Sequence, residues 1–209
     1  MIMRKLCAEF LGTFTLAYLV LLSSITSFPT IFTTPFIAAL TVGLFVYMIG
    51  PLSGAQLNPA VSIALLSLKK MTAREAVLFI VAQCAGTVIA LLLIHFSVQG
   101  PENSLEFISK AAVVPDQSFL RAVLGEALGA FFLLFGIVSV VLKRVPDGAS
   151  GVVIGISLFV GIIIASSLSL GILNPAVALV FLVFRLPYFL GPIIGGIAGA
   201  WAASWIHGK

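Results

Sequence analysis

The feature that most constrains this chain is the absence of charge over three long stretches. No Asp, Glu, Lys or Arg occurs at 10–68, 76–101 or 148–184. Charged residues make up 9% of the chain and hydrophobic residues 61%, whereas about 25% of the residues of a soluble domain are charged. Such a chain cannot cover a water-facing surface, so lipid must be its solvent.

The apolar segments predict an all-α membrane protein, because a transmembrane helix needs about 20 apolar residues. The first segment follows Arg4 and Lys5, but it is long for a secretory signal and lacks an Ala-x-Ala cleavage site. We therefore expect it to be a structural helix. The predicted spans are 6–24, 33–50, 73–96, 119–142, 149–168 and 187–206.

Basic residues predict the orientation of these spans, because cytoplasmic loops are enriched in Lys and Arg. Cytoplasmic termini place most of the basic residues inside and the segment 102–116 outside, in a multi-pass protein of the plasma (cytoplasmic) membrane. The net charge of +4 is then a topology signal, and no nucleic-acid partner is expected. The residues predicted inside are Arg4, Lys5, Lys69, Lys70, Arg74, Lys143, Arg144 and Lys209; those outside are Lys110, Arg121 and Arg185.

The sequence repeats itself. Leu57–Val61 and Leu173–Val177 are the same pentapeptide, Leu-Asn-Pro-Ala-Val, and similar helix starts precede them at Glu9–Phe14 and Glu126–Phe131. Each repeat has an odd number of spans, so the second must be inverted relative to the first. We expect one channel domain, 1–209, built from repeats at about 1–100 and 118–209, with a site at the midplane where interrupted helices meet.

Each pentapeptide lies in a segment that is too short to cross the membrane and return. Irregular backbone is tolerated at membrane depth only where it lines a polar cavity, so both segments are predicted to dip in and form a pore. Asn is a preferred N-cap and Pro a preferred first helical residue. We therefore predict a short helix after Asn58 and another after Asn174, the first of them following a turn at Pro51–Gly54.

These residues resemble the aquaporin and glycerol-facilitator family, the major intrinsic proteins. Ser53–Val61 is close to the family motif Ser-Gly-Ala-His-x-Asn-Pro-Ala-Val, with Gln56 in the His position. The resemblance implies six transmembrane helices plus two re-entrant half-helices. It also implies a homotetramer with one pore per subunit, conducting water or small uncharged solutes passively and needing no cofactor or metal. The pore motifs would be Asn58, Pro59, Ala60, Asn174, Pro175 and Ala176.

Glu9 and Glu126 are the acids expected within the spans, apart from Glu75 at the start of the span 73–96. An intramembrane carboxylate can serve a proton relay. In proteins similar to this one, the equivalent glutamates instead hold the re-entrant loops through backbone N–H groups. The symmetric placement of the two residues favours this structural role.

The resemblance also locates a selectivity filter, at Ala38, Ile162, Gly171 and Val177. Water-selective members have an arginine where this chain has Val177, an aromatic residue at the first position and a histidine at the second. The filter predicted here is small and apolar. It suits uncharged solutes such as glycerol, urea, ammonia or metalloid hydroxides, among which the sequence does not choose.

Three other functions fit parts of the pattern. A secondary transporter can be built from inverted repeats with broken helices, but apart from the two glutamates this chain offers no midplane ion site. An intramembrane enzyme would need a nucleophile, metal cluster or carboxylate pair, and no such set occurs at matching positions. A non-conducting adhesion protein of the same fold would need more loop surface than the chain provides.

Overall fold

The computed structural model describes residues 1–25, 33–97 and 118–208. All of the regular structure in these residues is helical, and a short 3₁₀ turn at Asp147–Ala149 leads into the sixth helix. The predicted outside segment 102–116 falls outside the described residues. The helices are α1 (Ile2–Ile25), α2 (Thr34–Ser53), α3 (Pro59–Ser67), α4 (Ala73–Ser97), α5 (Phe119–Val141), α6 (Ser150–Ser166), α7 (Pro175–Val180) and α8 (Pro187–Ile206).

Six of the described helices are long and apolar enough to cross a membrane, namely α1, α2, α4, α5, α6 (with the 3₁₀ turn before it) and α8. Each overlaps a span predicted from the sequence, and the expected fold class is confirmed. Large apolar side chains such as Leu44, Val81 and Trp201 are exposed on the outside of the bundle, as expected for a surface in contact with lipid.

α2 extends further than predicted. The sequence indicated a turn at Pro51–Gly54, but the helix continues through Pro51 and ends at Ser53. Pro51 lacks the N–H that would bond the carbonyl four residues before it, so the last turn of α2 forms with one backbone hydrogen bond fewer. The helix is closed by Gly54, which has φ 92° and donates its N–H to the Gly50 carbonyl at 2.8 Å, because glycine adopts this left-handed conformation at little cost.

α3 and α7 are half-helices, and each begins at the proline of an Asn-Pro-Ala motif. The preceding asparagine is the N-cap: Asn58 Oδ1 accepts the Ala60 N–H at 2.8 Å, and Asn174 Oδ1 accepts the Ala176 N–H at 3.0 Å. The two differ in length, with 9 residues in α3 and 6 in α7. The second half-helix is therefore shorter than its repeat partner.

The two repeats pack by equivalent helix pairs. α1 packs against α4, and α5 packs against α8. Glycine permits close approach in both pairs: a Cβ on Gly86 would collide with the Phe10 carbonyl, and a Cβ on Gly195 would collide with the Ala127 carbonyl. These two contacts fix the correspondence between α4 and α8, so that Gln83, three residues before Gly86, is the equivalent of Pro192.

Candidate functional site

A cavity of about 750 Å³ runs between the two half-helices. Its lining includes Ser24 and Thr34 at one end of the bundle and Tyr47, Lys143 and Asp147 at the other. Asn58 and Asn174 both line it. The cavity thus passes the point where the two re-entrant segments meet.

The paired asparagines link the two segments to each other. Asn58 Nδ2 donates to the Leu173 carbonyl at 3.0 Å, and Asn174 Nδ2 donates to the Leu57 carbonyl at 2.9 Å. An amide nitrogen carries two hydrogens, so each side chain keeps one N–H beyond this contact. Since both residues line the cavity, the arrangement can offer a pair of donors to a molecule inside it.

The residues before the asparagines have unusual backbone geometry. Leu57 has φ 51° and Leu173 has φ 56°, a left-handed conformation that disfavours residues with a Cβ. Both side chains are fully buried. In this conformation each leucine directs its N–H to a buried glutamate and its carbonyl to the asparagine of the other segment. These hydrogen bonds maintain the strained backbone.

Glu9 supports the first segment. Its Oε1 accepts from Ser53 Oγ at 2.7 Å and from the Gln56 N–H at 3.0 Å. Its Oε2 accepts from the Leu57 N–H at 2.8 Å and from Gln83 Nε2 at 2.9 Å. The side chain is fully buried, and every contact comes from a donor, which compensates the carboxylate for the loss of water.

Glu126 supports the second segment. Its Oε1 accepts from Ser169 Oγ at 2.8 Å and from the Ile172 N–H at 3.0 Å, and its Oε2 accepts from the Leu173 N–H at 2.6 Å. It is fully buried like Glu9. The serine and the two backbone donors are the part of the arrangement that both repeats share.

The four residues expected to form a filter, Ala38, Ile162, Gly171 and Val177, all line the cavity. Two of them are in close proximity, because a Cβ on Gly171 would lie 2.9 Å from the Ile162 carbonyl oxygen. Gly171 has φ 67°, so both its backbone and the space around it favour glycine. Val177 lies in the first turn of α7.

Sequence reasoning missed a polar cluster in the first repeat. Gln83 Nε2 contacts Ser62 Oγ at 3.2 Å as well as Glu9, and Ser62 Oγ donates to Gln56 Oε1 at 2.6 Å. The signal was a glutamine in the middle of an uncharged span, because polar side chains within a membrane mark interhelical contacts or functional sites.

It also missed the contacts at one mouth of the cavity. Lys143 Nζ and Asp147 Oδ1 form an ion pair at 2.7 Å, and Tyr47 Oη donates to the Gly148 carbonyl at 2.8 Å. Lys143 and Asp147 are only four residues apart in the chain, whereas the contact of Tyr47 with Gly148 depends on the packing of α2 against α6. The pair is exposed, and an exposed pair of this kind stabilises a fold by less than about 1 kcal/mol.

Comparison with known proteins agrees with this geometry. The family model described as "Major intrinsic protein" matches residues 1–203. The probable aquaporin AqpM of Archaeoglobus fulgidus is 32% identical over 180 residues, covering 80% of this chain and 73% of the relative. Nodulin-26 of Glycine max is 30% identical over 217 residues, covering 98% of this chain and 78% of the relative.

Among solved structures, the aquaglyceroporin of Plasmodium falciparum has the same fold. Its TM-score is 0.68 at 21% sequence identity, with 100% of this chain and 96% of that chain covered. Members of the matched family are integral membrane channels, which decides against the enzyme and transporter alternatives. A family match over nearly the whole chain, and relatives at 30% identity or more, show that this chain belongs to the major intrinsic protein family.

Proposed function

We propose that this channel conducts water and small uncharged solutes passively, through a filter formed by Ala38, Ile162, Gly171 and Val177. The observation that carries the proposal is the lining of the cavity. Among the described residues that line it, the charged side chains are Lys143 and Asp147, which lie together at one mouth. A solute passing the centre therefore meets amide donors and apolar side chains, and no charged side chain among the described lining residues.

Cations are disfavoured at the asparagine pair. Each half-helix directs its N-terminus to this point, which corresponds to about +0.5 charge. At roughly 4 Å and an effective dielectric constant of about 20, each would repel a monovalent cation by about 2 kcal/mol. The cost of removing the hydration shell adds to this barrier, so the channel excludes cations although the filter has no fixed positive charge.

The filter favours solutes larger than water. An arginine in place of Val177 would add a full positive charge, worth about 4 kcal/mol against a cation under the same assumptions, together with a fixed hydrogen-bond donor. Its absence, and the small Ala38, leave a wider and less polar constriction. The solved structure with the same fold is that of an aquaglyceroporin, which supports glycerol and similar solutes as candidates.

Stopped-flow light scattering on proteoliposomes tests this proposal, with water, glycerol, urea and ammonia as permeants. The parent should pass at least one of the larger solutes, with a flux that rises linearly with concentration. Val177→Arg combined with Ala38→Phe should suppress that flux while sparing water, because the two side chains narrow one ring. The single variants should fall between, and their effects need not add.

A parent that passes water but rejects all three larger solutes would contradict the proposed selectivity and leave the family unchanged. A flux that saturates, or that follows an ion gradient, would contradict passive conduction. Water permeability of the same vesicles serves as the control for folding of each variant.

The proposed topology has both termini in the cytoplasm and the protein in the plasma (cytoplasmic) membrane. Contacts between helix ends support it, because they bring basic residues to one face of the bundle. Lys5 Nζ lies 3.3 Å from Glu75 Oε1, and Arg144 Nη2 donates to the His207 carbonyl at 2.9 Å. Cysteine introduced at Lys70 should be labelled from inside the cell and cysteine at Arg185 from outside; labelling of both from one side would contradict the orientation.

The resemblance to the major intrinsic proteins also supports a homotetramer. Each subunit, residues 1–209, would be one channel domain with its own pore. Neighbouring helices α2 and α6 present exposed Leu40, Leu44, Ile156 and Val160, an apolar face that suits either lipid or another copy. Light scattering of the detergent-solubilised protein, corrected for bound detergent, measures the stoichiometry. A monomeric mass would contradict this part of the proposal.

A further inference from the structure

In the first repeat, hydrogen bonds connect the buried Glu9 to the wall of the cavity. Gln83 Nε2 donates to Glu9 Oε2 at 2.9 Å and to Ser62 Oγ at 3.2 Å. Ser62 Oγ in turn donates to Gln56 Oε1 at 2.6 Å. Glu9, Gln83 and Ser62 are fully buried, whereas Gln56 is partly exposed and lines the cavity.

The direction of each hydrogen bond in this chain follows from the carboxylate. A carboxylate accepts hydrogen bonds and does not donate them, so the amide group of Gln83 must turn its NH₂ toward Glu9. It does so although its own Oε1 is buried without a hydrogen-bond partner among the described residues. The same NH₂ also donates to Ser62 Oγ, which leaves Ser62 to donate its single hydrogen elsewhere.

Ser62 uses that hydrogen to orient Gln56. Gln56 Oε1 lies 2.6 Å from Ser62 Oγ, while the alternative acceptor, the Asn58 carbonyl, lies at 3.4 Å. The carbonyl oxygen of the Gln56 amide is thereby held against the wall. Its nitrogen carries two hydrogens and makes one contact with a weak thioether acceptor, Met71 Sδ at 3.7 Å. At least one N–H of Gln56 remains for a molecule in the cavity.

We propose that Gln56 forms a solute-binding subsite separate from the asparagine pair, and that it binds the carbonyl or hydroxyl oxygen of a permeating solute. Ser62 and Gln83 act as positioning residues for this subsite. The inference rests on the proposed function, since it concerns the solutes that the channel conducts. Urea and glycerol, which carry such oxygens, are the solute class that the subsite would serve.

The second repeat cannot build the same subsite. Ile172, Ala178 and Pro192 occupy the positions of Gln56, Ser62 and Gln83. None of these side chains has a hydrogen-bonding group. The cavity therefore has an amide donor at Gln56 and an apolar side chain at the equivalent Ile172, so a solute meets different side chains just before and just after the asparagines.

Stopped-flow measurements with urea and glycerol on Gln56→Leu, Ser62→Ala and the double variant test the inference. Ile172→Leu is the matched control for the first substitution, and Ala178 shows that alanine fits the repeat position of Ser62. Loss of one hydrogen bond should lower the flux of both solutes by about fivefold in each single variant. In the double variant Ser62→Ala should add nothing, because it acts only through Gln56.

The outcomes separate this inference from the proposed function. If the parent conducts urea or glycerol and Gln56→Leu matches the Ile172→Leu control, the subsite is absent and the proposed function stands. Additive effects of the two substitutions would show that Ser62 does not act through Gln56 and would overturn the positioning role. If the parent conducts only water, the proposed selectivity is wrong. Water permeability of the same variants then tests the subsite: a lower value for Gln56→Leu than for Ile172→Leu supports it, and equal values contradict it.

Discussion

The two buried glutamates hold equivalent loops in different surroundings. Glu126 accepts from Ser169 and two backbone N–H groups. Gly191 packs closely against it, because a Cβ on Gly191 would lie 2.6 Å from the Cβ of Glu126. Glu9 accepts from the equivalent groups and also from Gln83, which links it to Ser62 and the pore wall. The shared contacts shape the loop, whereas the differing ones determine which chemical groups the loop presents to the cavity.

Removal of either carboxylate should have the largest effect on the protein. Glu126→Ala removes the acceptor of three donors, of which Ser169 keeps the Ala165 carbonyl. Glu9→Ala removes the acceptor of four, of which Gln83 keeps Ser62. Each donor left unpaired costs about 1–3 kcal/mol. Both variants should lose most of their monodisperse protein on heating in detergent, Glu9→Ala at the lower temperature. Adding Gln83→Leu to Glu9→Ala should recover part of the loss, because it removes one stranded donor.

Two results would break this comparison. If Glu9→Ala is no less stable than Glu126→Ala, and Gln83→Leu brings no recovery, the fourth hydrogen bond has no energetic consequence. If both alanine variants keep their thermal stability but lose a proton-dependent flux, the glutamates act as a relay and the structural role is wrong.

Substitution of the asparagines should have a smaller effect and the same one in both repeats. Asn58→Asp or Asn174→Asp places a carboxylate at the positive ends of the half-helices. Cancelling a barrier of about 2 kcal/mol would raise cation conductance by up to about 30-fold. The current is measured in planar bilayers, with Asn→Ser variants, which keep a capping oxygen without the charge, as controls.

Asparagine variants that conduct no more cations than the parent would show that these side chains do not determine ion exclusion. If only one of the two aspartate variants conducts cations, the electrostatic barrier belongs to the half-helix of that repeat. Either result would sharpen the contrast between the repeats beyond the glutamate clusters.

The smallest expected effects come from the helices behind the clusters. A Cβ on Gly199 would collide with the Phe131 carbonyl, so Gly199→Ala should destabilise the α5–α8 pair by about 1–3 kcal/mol. Its repeat equivalent is already alanine, the fully buried Ala90, and Ala90→Gly should cost only about 1 kcal/mol. Thermal stability in detergent should therefore be lower for Gly199→Ala than for Ala90→Gly. The reverse order would show that α8 is not the more closely packed helix.

Sequence reasoning located the repeated features and missed the polar contacts that occur in only one repeat. The membrane spans follow from the absence of charge, and the half-helices follow from two copies of one motif in uncharged segments. The contact of Gln83 with Ser62 depends on the packing of α4 beside the first loop, which one isolated polar residue does not reveal. The extension of α2 through Pro51 is a local outcome of capping at Gly54, which the turn predicted at Pro51–Gly54 did not include.

The crossed hydrogen bonds of the asparagines have a consequence for biosynthesis. Among the described residues, the Leu57 carbonyl accepts from Asn174 and Asn58 Nδ2 donates to Leu173, and the ribosome adds both of these partners more than a hundred residues later. Until then the first re-entrant segment has polar groups that lipid cannot satisfy. The early segment must remain hydrated, or held by the insertion machinery, until the late one arrives, so completion of the pore is among the last steps of assembly.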